Sequence, residues 1–209
     1  MSDYPYDLGA YSRRISTSSD DAQRWFDRGL NWTFAFNHEE AVNCFSKALE
    51  GDPDCPMARW GIAYASGPNY NKPWDLFDEV DLKDTIARTY EATRRSLDVI
   101  DKADPAEQAL IRALEARYQA PEPVDDLDAW NDDYADAMRF LYRQNPDDLD
   151  LATLFAEALM NRTPWQMWDL DSGQPADGAS TEEAVEVLER ALEHPDARYH
   201  PGLLHMYIH

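Results

Sequence analysis

Residues 22–53 read AQRWFDRGLNWTFAFNHEEAVNCFSKALEGDP. Trp25, Gly29 and Trp32 recur at spacings of four and three, which places them on one face of a helix. Asn37-His38-Glu39-Glu40 is a polar corner. Ala41, Phe45 and Ala48 then mark one face of a second helix, which Gly51-Asp52-Pro53 stops. The small residues Gly29, Ala41 and Ala48 allow two antiparallel helices to approach closely, with Trp25 and Phe45 filling the space between them.

Outward from this pair the unit recurs in looser form. Pro56 opens a helix through Tyr64-Ala65, broken by Gly67-Pro68-Asn69. A long helix is predicted over about 82–101. Asp104-Pro105-Ala106-Glu107 is a helix start, with a side-chain cap, a proline at the first helical position and an acid in the first turn. Pro121-Glu122-Pro123 is a linker, and a further helix covers about 127–143. Residues 149–161 and 181–193 form another pair, in which Ala184, Leu188 and Ala191 repeat the Ala41, Phe45, Ala48 spacing. Pro201 starts one more helix. No alternating strand pattern survives, so the expected fold class is all-α. The expected organisation is one helical-repeat domain with a 1–19 extension, a regular repeat over 20–53, stretched repeats over 56–118 and 127–193, and the start of a helix over 200–209.

Two inserted segments echo each other. Ala63-x-Ala65 leads to Asn71-Lys72-Pro73-Trp74, and Ala156-x-Ala158 leads to Asn161-Arg162-Thr163-Pro164-Trp165. Either each tryptophan plugs a gap between stacked helical hairpins, or the loops fold over an inner surface and close a pocket. Long loops inside a compact domain are often functional.

The 22–53 unit resembles the tetratricopeptide repeat, including its closing proline. The phrases WFDRGLNWTFAFNHEEAVNCFSKAL, WGIAYASGPNYNKPW and HPGLLHMYIH resemble a widespread bacterial family of tetratricopeptide proteins over essentially the whole chain. The resemblance implies a helical-hairpin solenoid, further repeats following His209, and a histidine site; it implies no reaction. In such stacks the first helix of each hairpin lines the concave surface. There Trp60, Tyr64, Asn69, Asn71, Trp74 and Trp165 are the expected contacts for a protein, a peptide or a small ligand.

Charge narrows the partners. Asp and Glu number 41 against 19 Lys and Arg, a formal charge of -22. Such a chain repels nucleic-acid phosphate and anionic lipid, so neither nucleic acid nor membrane is an expected partner. Basic peptides, metal cations, small molecules and self-association through repeat ends are compatible with it. No signal-like or membrane-spanning run is present. The only cysteines, Cys44 and Cys55, lie in helical pattern and read as reduced core thiols of a cytoplasmic protein.

Four of the five histidines cluster in His194, His200, His205 and His209. His205 and His209 are four apart on one helical face, the spacing by which two imidazoles share a metal. The residue after His205 is Met206, which excludes the HExxH protease pattern. Matching first helices through their Ala-x-Ala and proline positions sets Glu157 at the place of His209. His205, His209 and Glu157, with His200 or His38 in reserve, therefore make a candidate site for Zn²⁺ or Fe²⁺ and the basis of an alternative, metal-dependent function. The competing reading makes the two histidines packing residues. His38 also suits a helix-end role. There is no calcium loop, nucleophile elbow, phosphate-cradling glycine loop or Cys-x-x-Cys.

Overall fold

The computed structural model describes residues 4–209. Among them the fold is all-α, with helices α1 (Asp20–Phe34), α2 (His38–Gly51), α3 (Pro56–Ser66), α4 (Glu79–Leu97), α5 (Pro105–Arg117), α6 (Asp128–Gln144), α7 (Leu149–Met160), α8 (Thr181–Leu192) and α9 (Pro201–Ile208). Pairing outside helices is confined to isolated bridges, Asn69 with Lys72 and Trp168 with Pro175, one in each inserted loop. Helix starts follow the side chains. Pro56, Pro105 and Pro201 open α3, α5 and α9. Asp104 and Glu107 complete a reciprocal capping box on α5, which satisfies helix-end N–H groups that would otherwise lack partners.

Each helix packs on the next in the chain. The odd-numbered helices also meet one another: α1 with α3, α3 with α5, α7 with α9, and α1 with α9. One glycine pair explains the closeness of the first three helices. A Cβ on Gly29 of α1 would stand 2.5 Å from the Phe45 ring, and one on Gly61 of α3 would stand 2.6 Å from it. Phe45 of α2 is thus clamped between two bare backbones, and any larger residue at either glycine would displace it.

The spacing places Trp25 on the buried face of α1, and here the structure differs by one residue. Phe26, Gly29, Leu30, Thr33 and Phe34 are buried. Trp25 is half-buried beside Tyr4, Arg28 and Lys47. Phenylalanine fits against Phe45, whereas the indole has a polar edge that is better left at the surface.

Residues 4–19 run as a strap across several helices. Tyr4 accepts from Trp32 Nε1 at 2.5 Å and donates to Glu40 at 2.9 Å. Tyr11 donates to Asp150 of α7, and Arg13 pairs with Asp148, the N-cap of that helix, at 3.0 Å and with Asp150 at 2.7 Å. Ser16 N–H donates to Glu107 of α5. No described helix is long and apolar enough to cross a membrane.

Candidate functional site

The meeting of α1 with α9 brings sequence-distant aromatics together. Phe36, just beyond α1, stacks on His38 at 5.6 Å between ring centres, on His209 at 5.6 Å, and lies 4.7 Å from His205. Tyr70, from the first inserted loop, lies 5.0 Å from His209 and 5.4 Å from Trp165 of the second. Both loops, the α1–α2 corner and α9 therefore contribute to one aromatic and imidazole mouth.

Among the described residues, only two non-glycine residues have positive φ, and both are in this mouth: Phe36 at 57° and Trp165 at 64°. Each occupies a position suited to glycine. Asn37 N–H bonds to Trp32 O, and Phe36 N–H bonds to Thr33 O. That is the Schellman ending of a helix, with Phe36 at its left-handed residue. At the other position, Gln166 N–H bonds to Thr163 O around Pro164-Trp165. Proline followed by a positive-φ residue has the pattern of a type II turn, whose third position favours glycine. A side chain in left-handed backbone costs about 1–2 kcal/mol. Trp165 is also 63% exposed, so burial of its ring does little to offset that cost.

Beneath the mouth lies a buried polar core. Tyr64 donates to Glu157 Oε2 at 2.5 Å, and Asn161 Nδ2 donates to Glu157 Oε1 at 2.7 Å. Arg117 Nη1 stands 3.6 Å from Glu157. The guanidinium also faces the rings of Tyr64 and Tyr134 at 4.6 and 4.7 Å and donates to Pro68 O. Burial and the adjacent Glu157 charge push the Tyr64 hydroxyl well above its ordinary range. The hydroxyl is thus held protonated, as its donation to Glu157 requires. A small cavity of about 10 Å³ touches His38, Tyr64 and Glu157. Burial lowers the His38 pKa, against a smaller opposing pull from Glu157. Burial, followed by the neighbouring His205, also lowers that of His209.

The other residues singled out in the sequence lie apart from an open concave face. Trp60 is 1% exposed and stacks on Tyr64 at 5.1 Å, so both rings are inside the protein. Tyr64 of α3 faces Arg117 of α5 and donates to Glu157 of α7, so its ring is turned toward those helices. Asn69 uses its side-chain oxygen to accept from Asn71 and Lys72 N–H groups, which shapes the loop and presents Tyr70. Asn71 is exposed. Trp74 is buried against Phe77, Tyr118 and Trp130.

The proposed ligand trio does not assemble. Glu157 is held by Tyr64, Asn161 and Arg117, because it faces α3 and α5 across the buried core. His200 caps α9: its Nδ1 accepts from Leu203 N–H, so Nε2 carries the proton toward Asp150 at 3.1 Å. Among the described residues, no group of three His, Cys, Asp or Glu side chains is arranged to hold a metal. The His205–His209 pair remains, with nitrogens 3.1 Å apart.

Two further clefts were not legible in the sequence. One of about 680 Å³ lies under the strap and borders Tyr11, Asp150 and His200, whose polar atoms satisfy one another. Another of about 360 Å³ runs from His38 and Asn69 to Lys72, Asp81 and Arg88. Burial pushes the Cys44 and Cys55 thiols up to about 11, which suits core packing rather than nucleophilic chemistry. Comparisons with protein-family models, with curated proteins and with solved structures find no match.

Proposed function

We propose that the protein is a binding scaffold of tetratricopeptide-like design that takes a basic peptide segment across the Phe36–Tyr70–Trp165–His209 mouth. The packing of odd-numbered helices on one another supports the repeat reading. The observation that carries the binding reading is Trp165 itself: a large apolar ring, mostly exposed, held in a backbone conformation that glycine would adopt more easily. Strained backbone clusters at sites where function maintains it. An aromatic ring on a chain of charge -22 attracts cations twice, through the long-range field and through its own face. The expected partner is therefore a Lys- or Arg-bearing segment, and the mouth takes the place of the concave groove as the contact surface.

The test is a titration of a short lysine- and arginine-bearing peptide, in EDTA, followed by tryptophan fluorescence. The wild-type protein should bind it, weaken with added salt and ignore a glutamate-bearing counterpart. Trp165→Gly should lose at least tenfold in affinity. Equal affinity of wild type and variant would refute the reading.

A further inference from the structure

His205 Nδ1 lies 2.5 Å from the backbone oxygen of Phe34. A carbonyl only accepts, so Nδ1 is the protonated nitrogen of His205 and its Nε2 carries a lone pair. That lone pair faces His209 Nε2 at 3.1 Å, and between two neutral rings His209 is the donor. A backbone carbonyl holding one ring N–H while the other nitrogen points outward is the arrangement that fixes metal-binding histidines. The separation has the right size as well. Two nitrogens at about 2.0–2.1 Å from one Zn²⁺ stand roughly 2.9–3.4 Å apart for angles between a right angle and tetrahedral.

From this geometry we infer that His205 and His209 form a two-imidazole site for a borderline divalent transition-metal ion such as Zn²⁺. Binding replaces the His209-to-His205 hydrogen bond. His209 moves its proton from Nε2 to Nδ1 through solvent, and the two Nε2 lone pairs then bond to the ion with no net proton release. Phe36 stacks on His209 and lies against His205, which holds both rings in place. Among the described residues no third His, Cys, Asp or Glu joins the pair. Two neutral nitrogens without a carboxylate favour Zn²⁺, Ni²⁺ or Cu²⁺ over Mg²⁺ or Ca²⁺. The inference shares its location with the peptide-binding reading but does not depend on it.

The test is calorimetric titration of the protein with ZnCl₂ in a non-chelating buffer without peptide, alongside nitrogen-15 NMR of the histidine rings. One equivalent should bind, and Nε2 of both His205 and His209 should shift. His205→Asn retains a donor for Phe34 O, and His209→Phe retains a ring against Phe36 and Tyr70. Each should remain folded at the pH of the titration and weaken the site at least tenfold. Unchanged affinity in both variants would assign the ion to the acidic surface and overturn the inference, as would absence of stoichiometric binding by the wild type. Because the peptide titration is run in EDTA, failure here leaves the peptide result unaffected, and the reverse also holds.

Discussion

Pro73-Trp74 and Pro164-Trp165 each follow the end of an odd-numbered helix, after closely similar phrases, yet their indoles end in opposite environments. Trp74 is 5% exposed, packed edge-on to Tyr118 and Trp130, and begins a short 3-10 turn after an extended Pro73. Trp165 is 63% exposed, rests against Tyr70 and sits in left-handed backbone. The first loop behaves as the gap-filling alternative requires, while the second holds its ring over the mouth. A shared dipeptide therefore does not determine a shared role. Tyr118, which caps the end of α5, and Trp130 of α6 decide the first case, and no comparable pair covers the second.

The largest effect that this comparison predicts is on stability. Trp74→Ala should destabilise the fold by about 3–5 kcal/mol, read from denaturant midpoints, because it empties a packed aromatic site. Trp165→Ala should change stability by only about 0.5 kcal/mol or less. Similar losses from both substitutions would erase the distinction between the loops.

A smaller effect isolates the backbone. Trp165→Gly should be about 1 kcal/mol more stable than Trp165→Ala, since both remove the ring but only glycine relieves the positive φ. A matched pair of melting curves reads this difference. If the two variants coincide, Trp165 is not held under strain. The same substitutions at Trp74, where φ is not reversed, should rank the other way or be indistinguishable.

The smallest effect concerns pH. Burial lowers the folded-state pKa of His38 below its ordinary 6.5. In the interval between the folded and unfolded values the unfolded chain binds the extra proton, so stability falls as the pH drops through that interval. His38→Gln should flatten this part of the wild-type melting-temperature profile between about pH 7 and pH 5. His209 contributes in the same direction, because burial and the neighbouring His205 lower its pKa as well. An identical slope in the His38→Gln variant would remove His38 from the account.

Much of the scaffold was legible because local signals agreed with tertiary demands. Asp104-Pro105-Ala106-Glu107 starts α5 with its own side chains, and no distant contact is needed to specify it. Small-residue spacing likewise identified the close approach at Gly29, while missing that Phe26 rather than Trp25 fills the interior. The His205–His209 pair was legible from its helical spacing. The rest of the site was not, because it depends on closure. Phe36 and Tyr70 reach those histidines only because α1 packs on α9 and the inserted loops fold inward. Trp60 and Tyr64 are likewise buried, and Glu157 of α7 meets Tyr64 of α3 and Arg117 of α5, contacts that no helix-by-helix alignment could reveal. One overlooked signal was present: Thr163-Pro164-Trp165-Gln166 carries a turn-forming proline before a residue that is not glycine.

On the proposed reading, Trp165 is kept in left-handed backbone because its ring binds the partner. The most direct test measures affinity for the lysine- and arginine-bearing peptide in the wild type and in Trp165→Gly, with folding confirmed by melting. A variant at least as stable as the wild type but at least tenfold weaker in binding is the predicted result. A variant that binds as tightly as the wild type would contradict the account.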